Sequence, residues 1–315
     1  MTSSSSISSS ISLSILTWNI WFDKINRKSR TETLLDEIIS YNPDIIALQE
    51  VIEETLQIII TKMKPKYYII GTIANQYDTL LLSKYPPINW NRFNLPNTKM
   101  GRNLLLATLQ LPTMQLSVGT FHLESIFNKQ DSEQLKEMQL QYITAISPIN
   151  TVLMGDTNLT SAPFHHSVVK GANPQNEALI GRGLGGNLGS PPQVGGYGGA
   201  VLPQLIDIYS KIVRNGGETV SETVSETVSE TVSETVSETV SETVSETGHD
   251  NKFTYCGKTN KNIKNKSIQS RFDRIYVKIL RDILNVNFFE LTGKESQPSD
   301  HYGIFSQIEL VKFYK

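Results

Sequence analysis

Along the first half of the chain, short apolar runs alternate with amphipathic stretches. Ile11 to Ile20 alternates well enough for a strand. Ser29-Arg30-Thr31-Glu32 then reads as a capping box that opens a helix, with Leu34, Leu35, Ile38 and Ile39 on one face and Asn42-Pro43 as its stop. Asp44 to Leu48 is a short apolar strand, and a second amphipathic helix is predicted from about Glu53 to Met63. This βαβα rhythm gives way, between Tyr67 and Gln110, to closely spaced apolar runs for which antiparallel hairpins are the economical reading. Leu116 to Phe121 forms the next strand. Asp131-Ser132-Glu133-Gln134 caps a helix with Leu135, Met138, Tyr142, Ile143 and Ile146 inward, and Thr151 to Met154 returns as a strand. Four runs, beginning at Phe253, Phe272, Val286 and Gly303, supply the last strands. The pattern predicts an α/β fold of roughly ten to twelve strands and about four helices.

Three segments break it. Residues 1–12 are Ser-rich and expected to be disordered, which leaves 13–315 as a single domain. Nine glycines and two prolines between Gly181 and Gly199 read as a loop, since no strand precedes them and no P-loop Lys follows. Residues 218–247 are built on seven copies of Glu-Thr-Val-Ser; in a helix their glutamates would repel along one stripe with no apolar face to compensate, so a disordered surface insertion is expected.

Charge changes the picture once that insertion is set aside. The formal net charge is −2, but eight of the 31 acidic residues lie in the repeat; the remaining 23 face 29 basic ones, a net of +6. A mildly basic body suits a polyanionic partner. The single cysteine, Cys256, excludes an intrachain disulfide and a thiolate zinc site. No apolar run reaches the roughly 18 residues of a membrane span, and the Ser-rich start lacks the layout of a signal peptide. The expectation is an intracellular monomer, in nucleus or cytoplasm, with no membrane attachment.

The chemistry lies where apolar runs stop. Leu153 to Leu159 ends in Gly-Asp-Thr-Asn, so Asp156 can take a proton from water and Asn158 can donate to an anion. Read alone, this is equally an ordinary turn. Ile15 to Asn19, Ile45 to Glu50 and Leu116 to Glu124 also end in reactive residues, as does the pairing of 271–275 with 299–301. Such a set asks for one convergent site. Glu50 is a solvated strand end or a ligand; without thiolates, and with five histidines in all, a ligand there points to a hard cation, Mg²⁺ or Mn²⁺. A carboxylate from Asp273 or Asp300 against the His301 imidazole would favour its protonated form. Asn19, Asn158 and His122 can hold phosphate oxygens. These are parts for metal-assisted hydrolysis of a phosphoester.

Thr17-Trp18-Asn19, Leu48-Gln49-Glu50, Gly155-Asp156-Thr157-Asn158 and Ser299-Asp300-His301, in this order, resemble the endonuclease/exonuclease/phosphatase superfamily. Thr98-Lys99-Met100, Arg102-Asn103-Leu104, His122-Leu123-Glu124-Ser125 and Arg271-Phe272-Asp273-Arg274-Ile275 are similar to its type 2 tyrosyl-DNA phosphodiesterase branch. The resemblance implies a four-layer sandwich: two packed, mainly antiparallel sheets flanked by helices, with a cleft at one end of the strands. It implies Glu50 as the Mg²⁺ ligand, Asp300 near the metal, Asp156 as the residue that activates the attacking water, and His301 as transition-state stabiliser oriented by Asp273. Asn19, Asn158 and His122 would contact phosphate; Arg102, Asn103, Ser125 and Tyr255 would line the substrate. The implied substrate is a DNA or RNA 5′ end carrying a tyrosyl adduct, and the implied role belongs to DNA repair. Departures from the branch fall at Trp21, where a metal-site aspartate is expected and Asp23 is the nearest substitute, and at Thr160, Tyr255 and Phe127. Another phosphoesterase of the same fold is the nearest rival reading, and an inactive scaffold for nucleic-acid ends is the rival outside enzymes.

Overall fold

The computed structural model describes residues 8–125, 132–159, 204–209, 253–279 and 283–313. In chain order the elements are β1 (Ser8–Asn19), α1 (Arg27–Tyr41), β2 (Ile45–Val51), α2 (Glu53–Met63), β3 (Tyr68–Ile70), β4 (Asp78–Ser83), β5 (Pro87–Asn94), β6 (Asn103–Gln110) and β7 (Gln115–His122). Then come α3 (Ser132–Ile146), β8 (Thr151–Asp156), β9 (Gln204–Asp207), β10 (Tyr255–Cys256), β11 (Gln269–Ser270), β12 (Asp273–Ile279), β13 (Ile283–Thr292) and β14 (Gly303–Phe313).

Two six-stranded sheets carry the fold, in the orders β13-β14-β1-β2-β4-β3 and β5-β6-β7-β8-β12-β9, with β10 and β11 as a separate ribbon. Each sheet has one parallel pair, β1 with β2 and β7 with β8. Leu13, Ile15, Ala47 and Leu81 of one sheet meet Leu105, Val118, Met154 and Ile275 of the other in the central core. On the outer face of the first sheet, Leu35 and Ile38 of α1 and Ile59 and Met63 of α2 pack on Leu16, Ile46 and Leu48. Leu140 and Ile143 of α3 cover Phe121, Leu153 and Tyr276 of the second. Buried aliphatic side chains on both faces of the central strands, at about 1.5–3 kcal/mol each, make the four-layer sandwich the arrangement that leaves no apolar face in water.

Residues 1–7 of the Ser-rich stretch expected to be disordered lie outside the described residues, and its residues 8–12 belong to β1. It starts at Ser8 and pairs with β14 through ten registered positions, from Ser8 against Phe313 to Thr17 against Ile304. A sheet ladder uses backbone groups alone, and Ile11, Leu13 and Ile15 at period two provide the single apolar face it needs. Helix α1 likewise begins at Arg27, not at the Ser29 capping box. Its N-cap, Asn26, is left-handed and makes no side-chain cap bond. Arg27 and Arg30 instead donate to the carbonyls of Ile20, Trp21, Phe22, Asp23 and Ile25, tying the helix to the preceding loop. The Gly-rich stretch 181–199, the 218–247 repeat, Phe127, Asp131 and Thr160 lie outside the described residues.

Candidate functional site

Asn19, His122 and Asp156 are the last residues of β1, β7 and β8, Glu50 is next to last in β2, and Asp273 opens the antiparallel β12. Parallel pairing places the first four at one end of the sandwich, where a crevice beyond the strand termini is a natural ligand site. In the second sheet, Asp156 is directly opposite His122 on one side and Asp273 on the other. Their side chains therefore share one face. Gly155 makes this closeness feasible: a Cβ there would lie 2.0 Å from the Phe121 carbonyl oxygen. Beneath the site, Gln49 donates to Thr17 of its own sheet and Thr120 of the other, both at 3.1 Å, so a buried polar link fixes the sheets together.

Asp156 is the centre. Its Oδ1 accepts from the Asn158 backbone N–H at 2.8 Å and its Oδ2 from Asn19 Nδ2 at 3.0 Å. His122 Nε2 and His301 Nε2 stand 3.5 and 3.9 Å from the same Oδ2. Burial works to raise this carboxyl's pKa, but the flanking imidazoles of His122 and His301, with the two amide donors, outweigh it and hold Asp156 below the usual carboxylate value. His301 donates through Nδ1 to Asp273 Oδ2 at 2.7 Å. Burial disfavours its charge, yet the Asp273 carboxylate lifts its pKa well above the ordinary histidine value. His122 is the opposite case: burial and then the Arg102 guanidinium keep it well below, hence neutral. Because Arg102 Nη1 only donates, the 2.9 Å contact makes His122 Nδ1 the acceptor and puts its proton on Nε2, facing Asp156.

Glu50 sits on a register shift between β2 and β4, in the left-handed region at φ +61°. For a residue with a side chain that conformation costs about 1–3 kcal/mol, and the bulge re-aims the carboxylate out of the ladder. It accepts from the Phe22 N–H at 3.1 Å. Burial, then the Asp300 carboxylate, push its pKa up to about 7. Asp300 is itself raised, by burial first and then by Asp156 and Asp273. The Asp300 charge is felt by Glu50, so these two half-buried carboxylates are a donor set short of positive charge, and an all-oxygen pair of this kind fits a hard divalent cation. Asp156, Asp273 and His301 also have ligand atoms within 4.8 Å of one another. Asp273 Oδ2 is engaged by His301, while its Oδ1 is buried without a hydrogen-bond partner among the described residues, so this trio and the Glu50–Asp300 pair are both candidate cation sites.

The remaining expected residues divide. Arg102 is buried against His122 and donates to Ser125 Oγ at 3.1 Å. Tyr255 packs edge-on to His301, ring centroids 5.0 Å apart. Burial and the carboxylates of Asp300, Glu50 and Asp156 push the Tyr255 hydroxyl to about 12. Asn103 is held within the protein: its amide donates to Asp78 and the Gly101 carbonyl, and its oxygen accepts from Arg92. Asp23 closes a turn, with Oδ1 accepting from the Ile25 N–H and its carbonyl anchoring Arg27 and Arg30.

Two further contributors were given no role from the sequence: Tyr77, which carried no signal, and Glu124, which stood in a recognised motif. Tyr77 stacks on Phe22, centroids 4.8 Å apart and 8° between planes, and carries the Arg102 guanidinium 5.1 Å above its ring. It comes from an irregular loop, Gly71 to Tyr77. Glu124, fully buried, holds the loop that presents Arg102 through Thr98 and the Lys99 N–H.

Fold and site define a class: a two-sheet α/β sandwich with an acidic, histidine-flanked cluster at the ends of its central strands. The Endonuclease/Exonuclease/phosphatase family matches residues 16–301, and the chain belongs to that family. Among its relatives is tyrosyl-DNA phosphodiesterase 2 of Gallus gallus, 34% identical over 155 residues, which are 47% of this chain and 42% of that protein. The Xenopus tropicalis protein of the same name is 33% identical over 46% of this chain and 40% of its own. The chain thus matches less than half the length of these relatives. In fold it is similar to D. rerio TDP2 complexed with single-strand DNA product, with a TM-score of 0.64 and 21% identity over 94% of this chain and 98% of that one. The endonuclease/exonuclease/phosphatase of Bacteroides vulgatus aligns at 0.59, with 16% identity over 95% and 99%.

Proposed function

We propose that this chain is a divalent-metal-dependent phosphodiesterase that hydrolyses the bond between a tyrosine side chain and a nucleic-acid 5′-phosphate. The observation that carries the chemistry is Asp156, ionised and fixed by two amide donors, with a protonated His301 and a neutral His122 on either side of one oxygen. The substrate class rests on the name shared by the relatives at 31–34% identity and on the single-strand DNA product bound by D. rerio TDP2.

Glu50 and Asp300 would hold Mg²⁺ or Mn²⁺, which when bound supplies positive charge to the phosphoryl oxygens. Asp156 orients a water for in-line attack; its lowered pKa keeps it an acceptor across neutral pH. As the new P–O bond forms and the P–O bond to tyrosine breaks, charge grows on the non-bridging oxygens. His301, held protonated by Asp273, and the Nε2–H of His122 are placed to meet it. The product strand keeps a 5′-phosphate, and tyrosine leaves with a proton.

A substrate panel tests the assignment: a 5′-phosphotyrosyl oligodeoxynucleotide, its RNA counterpart, an abasic duplex, an oligoadenylate and an inositol polyphosphate, each with Mg²⁺. The proposal expects the tyrosyl substrates to be turned over at least 100-fold faster than the rest. Preference for any other member, by folded protein, rejects the tyrosyl reading while leaving the family in place.

A further inference from the structure

The turn between β10 and β11, residues 257–268, is not used by the chemistry above. Its sequence from Gly257 to Ile268 contains Lys258, Lys261, Lys264 and Lys266 and no acidic residue. It is nonetheless a built structure and not a loose charge run. Asn260, fully buried, and Asn262 both donate to the Ser299 carbonyl, at 3.0 and 2.9 Å, and Asn262 donates also to the Gln297 carbonyl at 2.8 Å. The Lys261 N–H donates to Gln297 Oε1, and Tyr302 Oη donates to Thr259 Oγ1 at 3.0 Å. Ile263 is buried at 2% exposure. The turn therefore grips the segment 297–302, which carries Asp300 and His301.

Its inward positions are amide and aliphatic, and its lysines are outward. All four are exposed. Lys266 donates to the Asn260 carbonyl at 3.1 Å, while Lys258, Lys261 and Lys264 form no ion pair among the described residues. Three like charges within seven residues repel one another unless a polyanion neutralises them. The turn begins at Tyr255–Cys256, and Tyr255 lies against His301. Tyr255 thus joins the turn to the site, and the turn borders the place where a 5′ end would be held.

We propose that the Lys258–Lys264 turn is a phosphate-backbone track for the single-stranded nucleic acid attached to the scissile phosphate. It binds by charge and not by base, so affinity depends on length and salt and not on sequence. The inference rests on the reading of the site as one for nucleic-acid 5′ ends.

The test compares the full chain with a variant carrying Lys258→Gln, Lys261→Gln and Lys264→Gln. Two substrates are used: a 5′-phosphotyrosyl oligodeoxynucleotide of about twelve nucleotides and the 5′-tyrosyl phosphodiester of a single thymidine, which has no downstream phosphate. The variant should raise KM for the oligonucleotide about tenfold near 0.1 M salt, and flatten the dependence of log(kcat/KM) on log salt by about 2, from roughly 0.7 per phosphate contact on a single strand. Turnover of the single nucleotide should be unchanged, and the corresponding Lys→Arg triple variant should restore the oligonucleotide KM. Equal KM and equal salt slope in wild type and variant overturn the proposal. So does an equal loss on both substrates, which assigns the turn to supporting residues 297–302 alone. If neither substrate is cleaved, the functional reading has failed; binding of a fluorescent 5′-phosphorylated oligonucleotide in EDTA then decides the track separately, and unchanged affinity in the variant rejects it.

Discussion

Glu124→Gln tests whether a carboxylate remote from the reacting atoms sets the position of Arg102. Glu124 Oε2 accepts from Thr98 Oγ1 at 2.9 Å and its Oε1 from the Lys99 N–H at 3.2 Å. Thr98 Oγ1 in turn accepts from the Arg102 N–H at 2.8 Å, and Arg102 reaches His122 and through it Asp156. Glutamine keeps the volume but loses the charge, and its NH₂ can meet Thr98 only as a donor to the hydroxyl, which reverses that bond while the amide oxygen keeps the Lys99 N–H. Hydrogen bonds to a charged group contribute about 1.5–3 kcal/mol and neutral ones about 1. Two charge-assisted bonds made neutral amount to a loss of roughly 1–4 kcal/mol, or a fall in Tm of about 2–15 °C for a domain of this size. Thr98→Val removes the same relay from its other end. Because both changes act through one contact, the double variant should be less destabilised than the sum by about 1 kcal/mol or more. Thermal unfolding followed by circular dichroism gives the stabilities; kcat/KM in each variant should fall about 10- to 100-fold as Arg102 loosens. Strictly additive losses, or normal Tm and turnover in Glu124→Gln, refute the relay.

Other expectations follow from the same contacts. Asp273→Asn removes the charge that lifts the His301 pKa, so the alkaline limb of the kcat/KM profile should move to lower pH, with turnover reduced about 10²-fold; in wild type, stability from this imidazolium is full below the unfolded histidine pKa near 6.5 and lost as pH rises through the raised folded value. Glu50, raised to about 7, destabilises metal-free protein as pH rises from its unfolded value near 4.3 through 7. The Tm gain on adding Mg²⁺ should therefore be larger at pH 8 than at pH 6, and Glu50→Gln should abolish that difference in calorimetry. Gly155→Ala forces a Cβ to within 2.0 Å of a backbone oxygen and should leave the protein insoluble or unfolded at 37 °C; normal expression and Tm would show that the two strands separate freely.

Much of this site was legible because strands that end in Asn19, Glu50, His122 and Asp156 stand out against apolar runs, and parallel pairing sends such ends to one place. Helix α2 ran over the residues its periodicity marked, since Leu56, Ile59 and Met63 meet the core at helical spacing. The register that sets Asp273 opposite Asp156 is a tertiary fact and left no local trace. Ser8 to Ser12 read as tail because serine has no strand preference, yet the backbone ladder with β14 decides. The contacts of Asn103 with Asp78 and of Asp23 with the Ile25 N–H are facts of the folded chain that motif matching does not show. Tyr77 was invisible for the converse reason: a loop aromatic acquires meaning from the Phe22 and Arg102 it meets, which lie far from it in the chain.

The central claim is that Asp156, with a metal at Glu50 and Asp300, drives hydrolysis of a tyrosyl phosphodiester. Its most direct test is release of tyrosine from a 5′-phosphotyrosyl oligonucleotide by wild type and Asp156→Asn, each with Mg²⁺ and with EDTA. The account predicts rapid release by wild type in Mg²⁺, a loss of at least about 10²-fold in Asp156→Asn, and none in EDTA. Release that persists in EDTA or in the folded Asp156→Asn protein, or no release by folded wild type in Mg²⁺, would contradict it.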